Sequence, residues 1–190
     1  MIKVCGITRR EDATAAVEAG ASALGFIFYK GSPRYVAPER AAELGEGLEV
    51  VKVGVFVDEA AVFVEEAVVT ARLDVVQIYG GETPRRLRIW RAFRVTSGSG
   101  SLAIDGDPEA VLLDGPRSGV SFDWPSQLEL KENLGAKIIV AGGLDASNVA
   151  DAIRIARPWG VDASSRLESA PGIKDHQKVR QFVKAALEAS

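Results

Sequence analysis

The only cysteine of this 190-residue chain, Cys5, stands at the end of a short apolar run and directly before Gly6. A free cysteine is often simply a buried core residue. It can also act as a base or a nucleophile when a nearby cation or helix N-terminus stabilises its thiolate. In an extended strand, Lys3 would point to the same side as Cys5 and could supply that charge. Position alone leaves both interpretations of Cys5 open.

A carboxyl group between two aromatic residues is the second candidate for chemistry. Asp123 lies between Phe122 and Trp124 in the stretch GVSFDW. Burial in an apolar pocket would favour its protonated form and make it a general acid near neutral pH. Aspartate is also a frequent helix N-cap, and spacing alone favours that structural role.

Two segments rich in small residues predict a phosphate site. Gly142 and Gly143 directly follow one apolar run, and Ser164 and Ser165 follow the next. Backbone N–H groups before a helix bind phosphate well, although a glycine pair is also common in turns. In βα barrels the loops after strands seven and eight often form such a site. We therefore expect a phosphate ligand here.

Arginine occurs in two settings that could bind anions. Arg34, in FYKGSPRY, could hold a carboxylate through two parallel hydrogen bonds, or it could be a solvated loop residue. The stretch RRLRIWRAFR carries five arginines around Trp90, a pattern that also occurs in nucleic-acid-binding proteins. The formal net charge of -3 instead favours a solvated helix face over residues 84–90.

Short apolar runs that alternate with helix-like segments would have to position these residues. The predicted strands cover residues 2–5, 23–28, 50–57, 75–78, 92–95, 111–113, 138–141 and 160–163. Predicted helices include residues 13–19, 60–71, 84–90, 126–134, 148–156 and 176–189. Most of the strand runs are continuously apolar, as in parallel strands that are buried on both faces.

Eight βα units predict an α/β fold, a compact (β/α)8 TIM barrel in a single domain over residues 1–190. Such barrels usually take about 250 residues, so the connections must be short. Residues 96–106 are rich in glycine and serine and have no helical period, which predicts a short or absent fifth helix. The candidate residues would then gather at the C-terminal face of the barrel, where barrel enzymes bind substrate.

Composition excludes several classes of function. The net charge of -3 does not favour nucleic acid or an anionic membrane, and no apolar stretch reaches the roughly 20 residues of a membrane helix. One cysteine and one histidine exclude a disulfide framework and a cysteine-based zinc cluster. We therefore expect no metal and no cofactor, and a cytoplasmic protein without a signal peptide. Few asparagines and many arginines favour a thermophilic source, for which a homodimer is one route to stability.

Taken together, these stretches resemble the phosphoribosylanthranilate isomerases of tryptophan biosynthesis, which are metal-free (β/α)8 enzymes. The resemblance runs in order from residue 3 to residue 176 and is most specific in KVCGIT and SPRYV. It is also carried by ALGFIFYKGSPRYV, VGVFVD, VVQIYGGE, LLDGPRSGVSFDW, IVAGGL with NVADAI, and GVDASSRLES with PGIKDH. Other phosphosugar barrel enzymes and a catalytically silent phosphate binder share the phosphate loops and remain the alternatives.

The resemblance implies an Amadori rearrangement of the phosphosugar N-(5-phosphoribosyl)anthranilate, with Cys5 as general base and Asp123 as general acid. It implies that Arg34 binds the anthranilate carboxylate. The remaining residues that it assigns to substrate or phosphate are Gln77, Tyr79, Asp162, Gly142, Gly143, Ser164 and Ser165.

The chain departs from the family pattern in three places. Tyr79 stands where histidine is frequent, and Arg166 stands where glycine is common. The loop before Asp123 reads PRSGVS and is shorter than the usual glycine-rich version. None of these differences changes the implied acid or base.

Overall fold

The computed structural model describes residues 1–95, 102, 104–115 and 136–190. Eight parallel strands close into a barrel in the order of the sequence, with the first strand paired to the eighth. The strands are β1 (Ile2–Cys5), β2 (Ala23–Ile27), β3 (Val51–Val57), β4 (Val75–Tyr79), β5 (Ile89–Arg94), β6 (Ala110–Asp114), β7 (Lys137–Ala141) and β8 (Gly160–Ala163). The predicted TIM barrel is confirmed.

The helices of the described residues cover the outside of the barrel. They are α1 (Arg10–Glu18), α2 (Pro38–Gly45), α3 (Ala61–Thr70), α4 (Val149–Ala156) and α5 (His176–Glu188). A 3-10 turn (Ser165–Leu167) and a two-stranded antiparallel hairpin, β9 (Glu168–Ala170) with β10 (Ile173–Lys174), lie between β8 and α5. The described helices do not reach the length and apolarity that a membrane crossing needs.

Alternation along each strand divides the buried residues between the barrel interior and the layer under the helices. In β5, Trp90 and Ala92 point into the barrel, whereas Ile89 packs in the outer layer. Trp90 meets Trp159 edge to face inside the barrel, with ring centroids 5.7 Å apart. The lower part of the barrel interior is therefore filled by side chains, and the interior opens towards the C-terminal ends of the strands.

The arginine-rich segment is a strand, and the predicted helix over residues 84–90 is wrong. Arg85 and Arg86 lie in a turn, and β5 begins at Ile89. Arg91 is buried and donates from Nη1 to the carbonyl of Gly80 at 3.2 Å. The period of the apolar residues was ambiguous because β5 is short and has arginines on both of its faces. The predicted strand over residues 92–95 consequently started three residues too late.

The connection between β5 and β6 is where a fifth helix would lie, and the sequence predicts that this helix is short or absent. Residues 104–109, its second half, contain no helix. Residues 96–101 and 103 lie outside the described part of the chain, as does the predicted helix over residues 126–134. The described half of the connection therefore agrees with a shortened barrel.

Candidate active site

A cavity of about 280 Å³ opens at the C-terminal ends of the barrel strands. This is the end at which (β/α)8 enzymes bind substrate. Its lining includes every predicted site residue that the structure describes, namely Cys5, Arg34, Gln77, Tyr79, Gly142, Gly143, Asp162, Ser164 and Ser165. Asp123, the predicted general acid, lies outside the described residues.

Cys5 and Lys3 lie on the same face of β1, inside the barrel. A β-carbon built at Gly25, the β2 residue paired with Cys5, would lie 2.6 Å from Cys5 Sγ and 3.1 Å from Lys3 Cε. Gly25 therefore leaves the room that both side chains occupy. Beside them, Lys3 Nζ forms an ion pair with Asp162 Oδ2 at 2.9 Å.

These buried groups set the acidity of the thiol. Burial raises the pKa of Cys5 above its ordinary value, and the Lys3 ammonium opposes that rise. Burial alone would lower the pKa of Lys3, but the Asp162 carboxylate and Cys5 together bring the pKa above its usual value. Lys3 is therefore a permanent positive charge beside the thiol, and it stabilises the thiolate whenever that form appears.

Gly6 brings the Arg34 side chain next to Cys5. Gly6 has φ +74°, and a β-carbon there would lie 2.6 Å from Arg34 Cδ and 3.0 Å from Ser164 Oγ. Glycine at this position allows both the turn after β1 and the close approach of two cavity side chains. The candidate base, the candidate carboxylate-binding group and one phosphate-loop serine therefore meet at one point.

Arg34 is held by an acidic residue that sequence reasoning missed. Its Nε and Nη2 donate to the two carboxylate oxygens of Glu168, each at 2.7 Å. Lys174 Nζ lies 2.8 Å from Glu168 Oε1 and donates to the carbonyl of Ser164 at 3.2 Å. Glu168 and Lys174 come from the β9–β10 hairpin, which the local sequence pattern did not predict.

The loop after β7 forms a tight glycine turn at the cavity. Gly142 has φ +96°, and a β-carbon on it would lie 2.4 Å from the backbone nitrogen of Gly115. Asn148, just before α4, donates from Nδ2 to the carbonyl of Gly143 at 2.9 Å and so fixes the glycine turn. Only glycine can occupy position 142 without moving the backbone at Gly115, which follows β6.

The family is decided by comparison with known proteins. The model of the family described as N-(5'phosphoribosyl)anthranilate (PRA) isomerase matches residues 2–185. The chain belongs to this family. An N-(5'-phosphoribosyl)anthranilate isomerase of Solibacter usitatus (strain Ellin6076) is 49% identical over 198 aligned positions, which cover 98% of this chain and 96% of the relative.

Solved structures of isomerases agree with the assignment to the family. A phosphoribosylanthranilate isomerase of Thermotoga maritima, described as mutationally generated monomers of a dimeric enzyme, is 34% identical and superposes with a TM-score of 0.84 over 98% of both chains. A second isomerase structure, in complex with reduced 1-(o-carboxyphenylamino)-1-deoxyribulose 5-phosphate, is 33% identical with the same TM-score and coverage. The fold and the isomerase family are thus shown by sequence and by structure.

Tyr79, which stands where the isomerase family often has histidine, belongs to a polar chain across the cavity. Gln77 Nε2 donates to the Tyr79 hydroxyl at 3.4 Å, and that hydroxyl donates to Asp114 Oδ2 at 3.2 Å. Burial, and then the carboxylate of Asp114, raise the pKa of Tyr79 well above its usual value, so the phenol stays protonated. Arg94 lies over the ring, 5.8 Å from its centroid.

Asp114 and Arg94 line the cavity as well, and sequence reasoning did not place them in the site. Arg166, the departure from the family pattern noted above, also lines it. Asp114 and Arg94 end β6 and β5, so their position at the C-terminal ends of strands was a usable signal. Arg166 is held at Asp145, with Nε 2.8 Å from Oδ2. The isomerase family's common glycine is thus replaced here by a guanidinium that is paired to a carboxylate.

Proposed function

We propose that this chain catalyses the Amadori rearrangement of N-(5'-phosphoribosyl)anthranilate with Cys5 as general base and Asp123 as general acid. The product is 1-(o-carboxyphenylamino)-1-deoxyribulose 5-phosphate, an intermediate of tryptophan biosynthesis. The chemistry moves protons only, and one protonated and one deprotonated side chain are sufficient for it.

The acid acts first. Asp123 protonates the furanose ring oxygen, the bond from that oxygen to C1 breaks, and the anthranilate nitrogen supplies its lone pair to form a protonated imine. An apolar pocket, which the sequence neighbours Phe122 and Trp124 could provide, would favour the uncharged carboxyl group that this step needs. Residue 123 lies outside the described part of the chain, so this role rests on the family pattern.

The base acts second. The Cys5 thiolate removes the proton from C2 of the sugar, which gives an enolamine that tautomerises to the ketone. The Lys3 ammonium supports this role because it opposes the effect of burial on the thiol. A thiolate beside a fixed cation is a competent base at mildly alkaline pH.

Substrate binding divides between the two ends of the cavity. Arg34 binds the anthranilate carboxylate, and the phosphate binds at Gly142, Gly143, Ser164 and Ser165. Between them, Gln77 Oε1 and Asp162 Oδ1 are buried acceptors without a hydrogen-bond donor among the described residues. Sugar hydroxyl groups are donors of the required kind, and Tyr79 contributes its ring to the same part of the cavity.

One observation carries the proposal: in a chain of this family, Cys5, Arg34 and both phosphate loops line one cavity. The substrate is fluorescent through its anthranilate group and can be generated in place from anthranilate and phosphoribosyl pyrophosphate. Adding the protein should make the fluorescence fall, and Asp123→Asn should remove most of that fall. A wild-type protein that leaves the signal unchanged would refute the proposed function.

We also propose that the chain forms a homodimer. The Thermotoga maritima relative is described as dimeric, and the low asparagine content favours a protein that is stable at high temperature. Sedimentation equilibrium should give twice the chain mass of 20.2 kDa. A single species of one chain mass at micromolar concentration would contradict this part of the proposal.

A further inference from the structure

Glu168 shares one charged cluster with Arg34 and Lys174. In Arg34, the edge formed by Nε and Nη2 is fully engaged by the two oxygens of Glu168. Within the described part of the chain, the side-chain hydrogen bonds of Arg34 run to Glu168 alone. The adjacent edge, formed by Nη1 and the second N–H of Nη2, keeps its donors for another acceptor.

Burial and charge distinguish this cluster from a surface ion pair. The Arg34 side chain is 14% exposed and that of Glu168 is 5% exposed, so neither moves freely in solvent. Lys174 is also buried, and its ammonium lies 2.8 Å from Glu168 Oε1. Two cations and one carboxylate leave one positive charge, which matches a ligand carboxylate.

The contacts of the cluster also set the direction in which the Arg34 guanidinium points. Arg34 lines the cavity beside Cys5, whereas Glu168 approaches from the β9–β10 hairpin. Lys174, from the same hairpin, donates to the carbonyl of Ser164 in the phosphate loop. The hairpin therefore connects the two anion-binding ends of the cavity, and a shift of Glu168 would turn the guanidinium away from the ligand.

We propose that Glu168 is a positioning residue that aims Arg34, so that the free edge of the guanidinium selects substrates with an ortho carboxylate on the ring. The inference rests on the proposed function, because it assumes that Arg34 binds the anthranilate group. Fixing the guanidinium in advance lowers the entropy that is lost on binding and favours one ligand geometry. Glu168 itself does not touch the ligand in this arrangement.

Binding of two stable ligands tests this role without turnover. One is reduced 1-(o-carboxyphenylamino)-1-deoxyribulose 5-phosphate, and the other is its phenylamino counterpart without the carboxylate. Calorimetry gives the ratio of the two dissociation constants for wild type, Glu168→Gln and Glu168→Asp. Glu109→Gln is the matched control, since Glu109 makes the same bidentate pair with Arg88 at the far end of the barrel.

We expect both Glu168 variants to weaken binding of the carboxylate ligand on the order of tenfold, the size of a lost charge-assisted hydrogen bond. The phenylamino ligand and the control variant should keep wild-type affinities. Glu168→Asp distinguishes the orientation of Arg34 from the charge at position 168. It keeps the negative charge but withdraws the carboxylate oxygens from Arg34. It also provides the test if Glu168→Gln does not fold.

Three results would overturn the inference. Equal weakening of both ligands would give Glu168 a merely structural role, and unchanged ratios would show that Arg34 needs no orientation. If Glu168→Asp keeps the wild-type ratio of the two dissociation constants and Glu168→Gln does not, the effect is due to charge alone. A wild-type protein that binds neither ligand would instead refute the proposed function, and the inference with it.

Discussion

Lys3 and Asp162 form an ion pair inside the barrel, with Nζ 2.9 Å from Oδ2, on the strand face that also carries Cys5. The Lys3 side chain is fully buried, so water does not screen its charge. A buried pair of this kind contributes little net stability, because desolvation offsets the attraction between the charges. Its value to the enzyme lies in the positive charge that it keeps beside the thiol.

Lys3→Met should raise the pKa of the Cys5 thiol further. Burial already raises that pKa, and the Lys3 ammonium is the largest effect that opposes it. Cys5 is the only cysteine, so the ultraviolet difference between wild type and Cys5→Ser during a pH titration reports the thiolate and removes the tyrosine contribution. A pKa that stays the same or falls would contradict the role given to Lys3, and Cys5→Ser identifies the signal.

The same substitution leaves the Asp162 carboxylate buried without its partner, which typically costs about 3–5 kcal/mol of stability. Lys3→Met with Asp162→Asn removes both charges and should restore most of that stability. The pKa of Cys5 should stay raised in the double variant, since Lys3 outweighs Asp162 among the influences on the thiol.

Cys5→Ser should lower kcat by about two to four orders of magnitude, the usual contribution of a general base. KM should change little, because serine fits the space that Gly25 leaves and the groups proposed to bind carboxylate and phosphate remain. In the wild type, kcat should rise with pH through the alkaline range, since burial raises the pKa of the thiol that must lose its proton. If the pH dependence of kcat is the same in Cys5→Ser as in the wild type, Cys5 is not the base of the reaction.

Most barrel strands could be predicted because parallel strands that are buried on both faces give continuous apolar runs. The predicted run over residues 2–5 and the observed β1 (Ile2–Cys5) coincide for this reason. β5 was misjudged because it carries Arg91 on one face and Arg94 on the other, and tertiary contacts hold the buried Arg91. A local sequence pattern cannot report a hydrogen bond to a residue such as Gly80, in the loop after β4.

The site shows the same limit. Cys5, Arg34 and the glycine turn could be named as candidates from residue type and from their place after a strand, and the family resemblance then implied their roles. Glu168 could not, because its function depends on a hairpin that brings it within 2.7 Å of a residue 134 positions away. A local sequence pattern cannot identify an ion-pair partner at such a distance along the chain.

Tyr79→Leu should raise KM by about two- to tenfold, which corresponds to the loss of one aromatic contact of about 0.5–1.5 kcal/mol. Tyr79→Phe keeps the ring and loses only the hydroxyl that donates to Asp114 at 3.2 Å, so its KM should stay close to that of the wild type. Steady-state kinetics of the two variants distinguish the contribution of the ring to KM from that of the hydroxyl. If the phenylalanine variant is as impaired as the leucine variant, the hydroxyl is the functional group.

Gly142→Ala should destabilise the protein more than Gly47→Ala, although both glycines have positive φ, +96° and +68°. Alanine at Gly47 meets nothing within 4 Å, so it adds only the strain of a left-handed residue, about 1–2 kcal/mol. Alanine at Gly142 would also lie 2.4 Å from the backbone nitrogen of Gly115, and backbone cannot rotate out of the way. We expect a further loss of about 1–3 kcal/mol, the usual cost of overpacking.

Urea unfolding of both variants measures this difference. Gly142 lines the cavity next to Gly115, so a displacement of this turn in Gly142→Ala should also lower kcat, whereas Gly47→Ala should leave kcat unchanged. Equal stability of the two variants would mean that the β6 and β7 loops separate easily. The close approach of Gly142 to Gly115 would then have no part in holding the glycine turn in place.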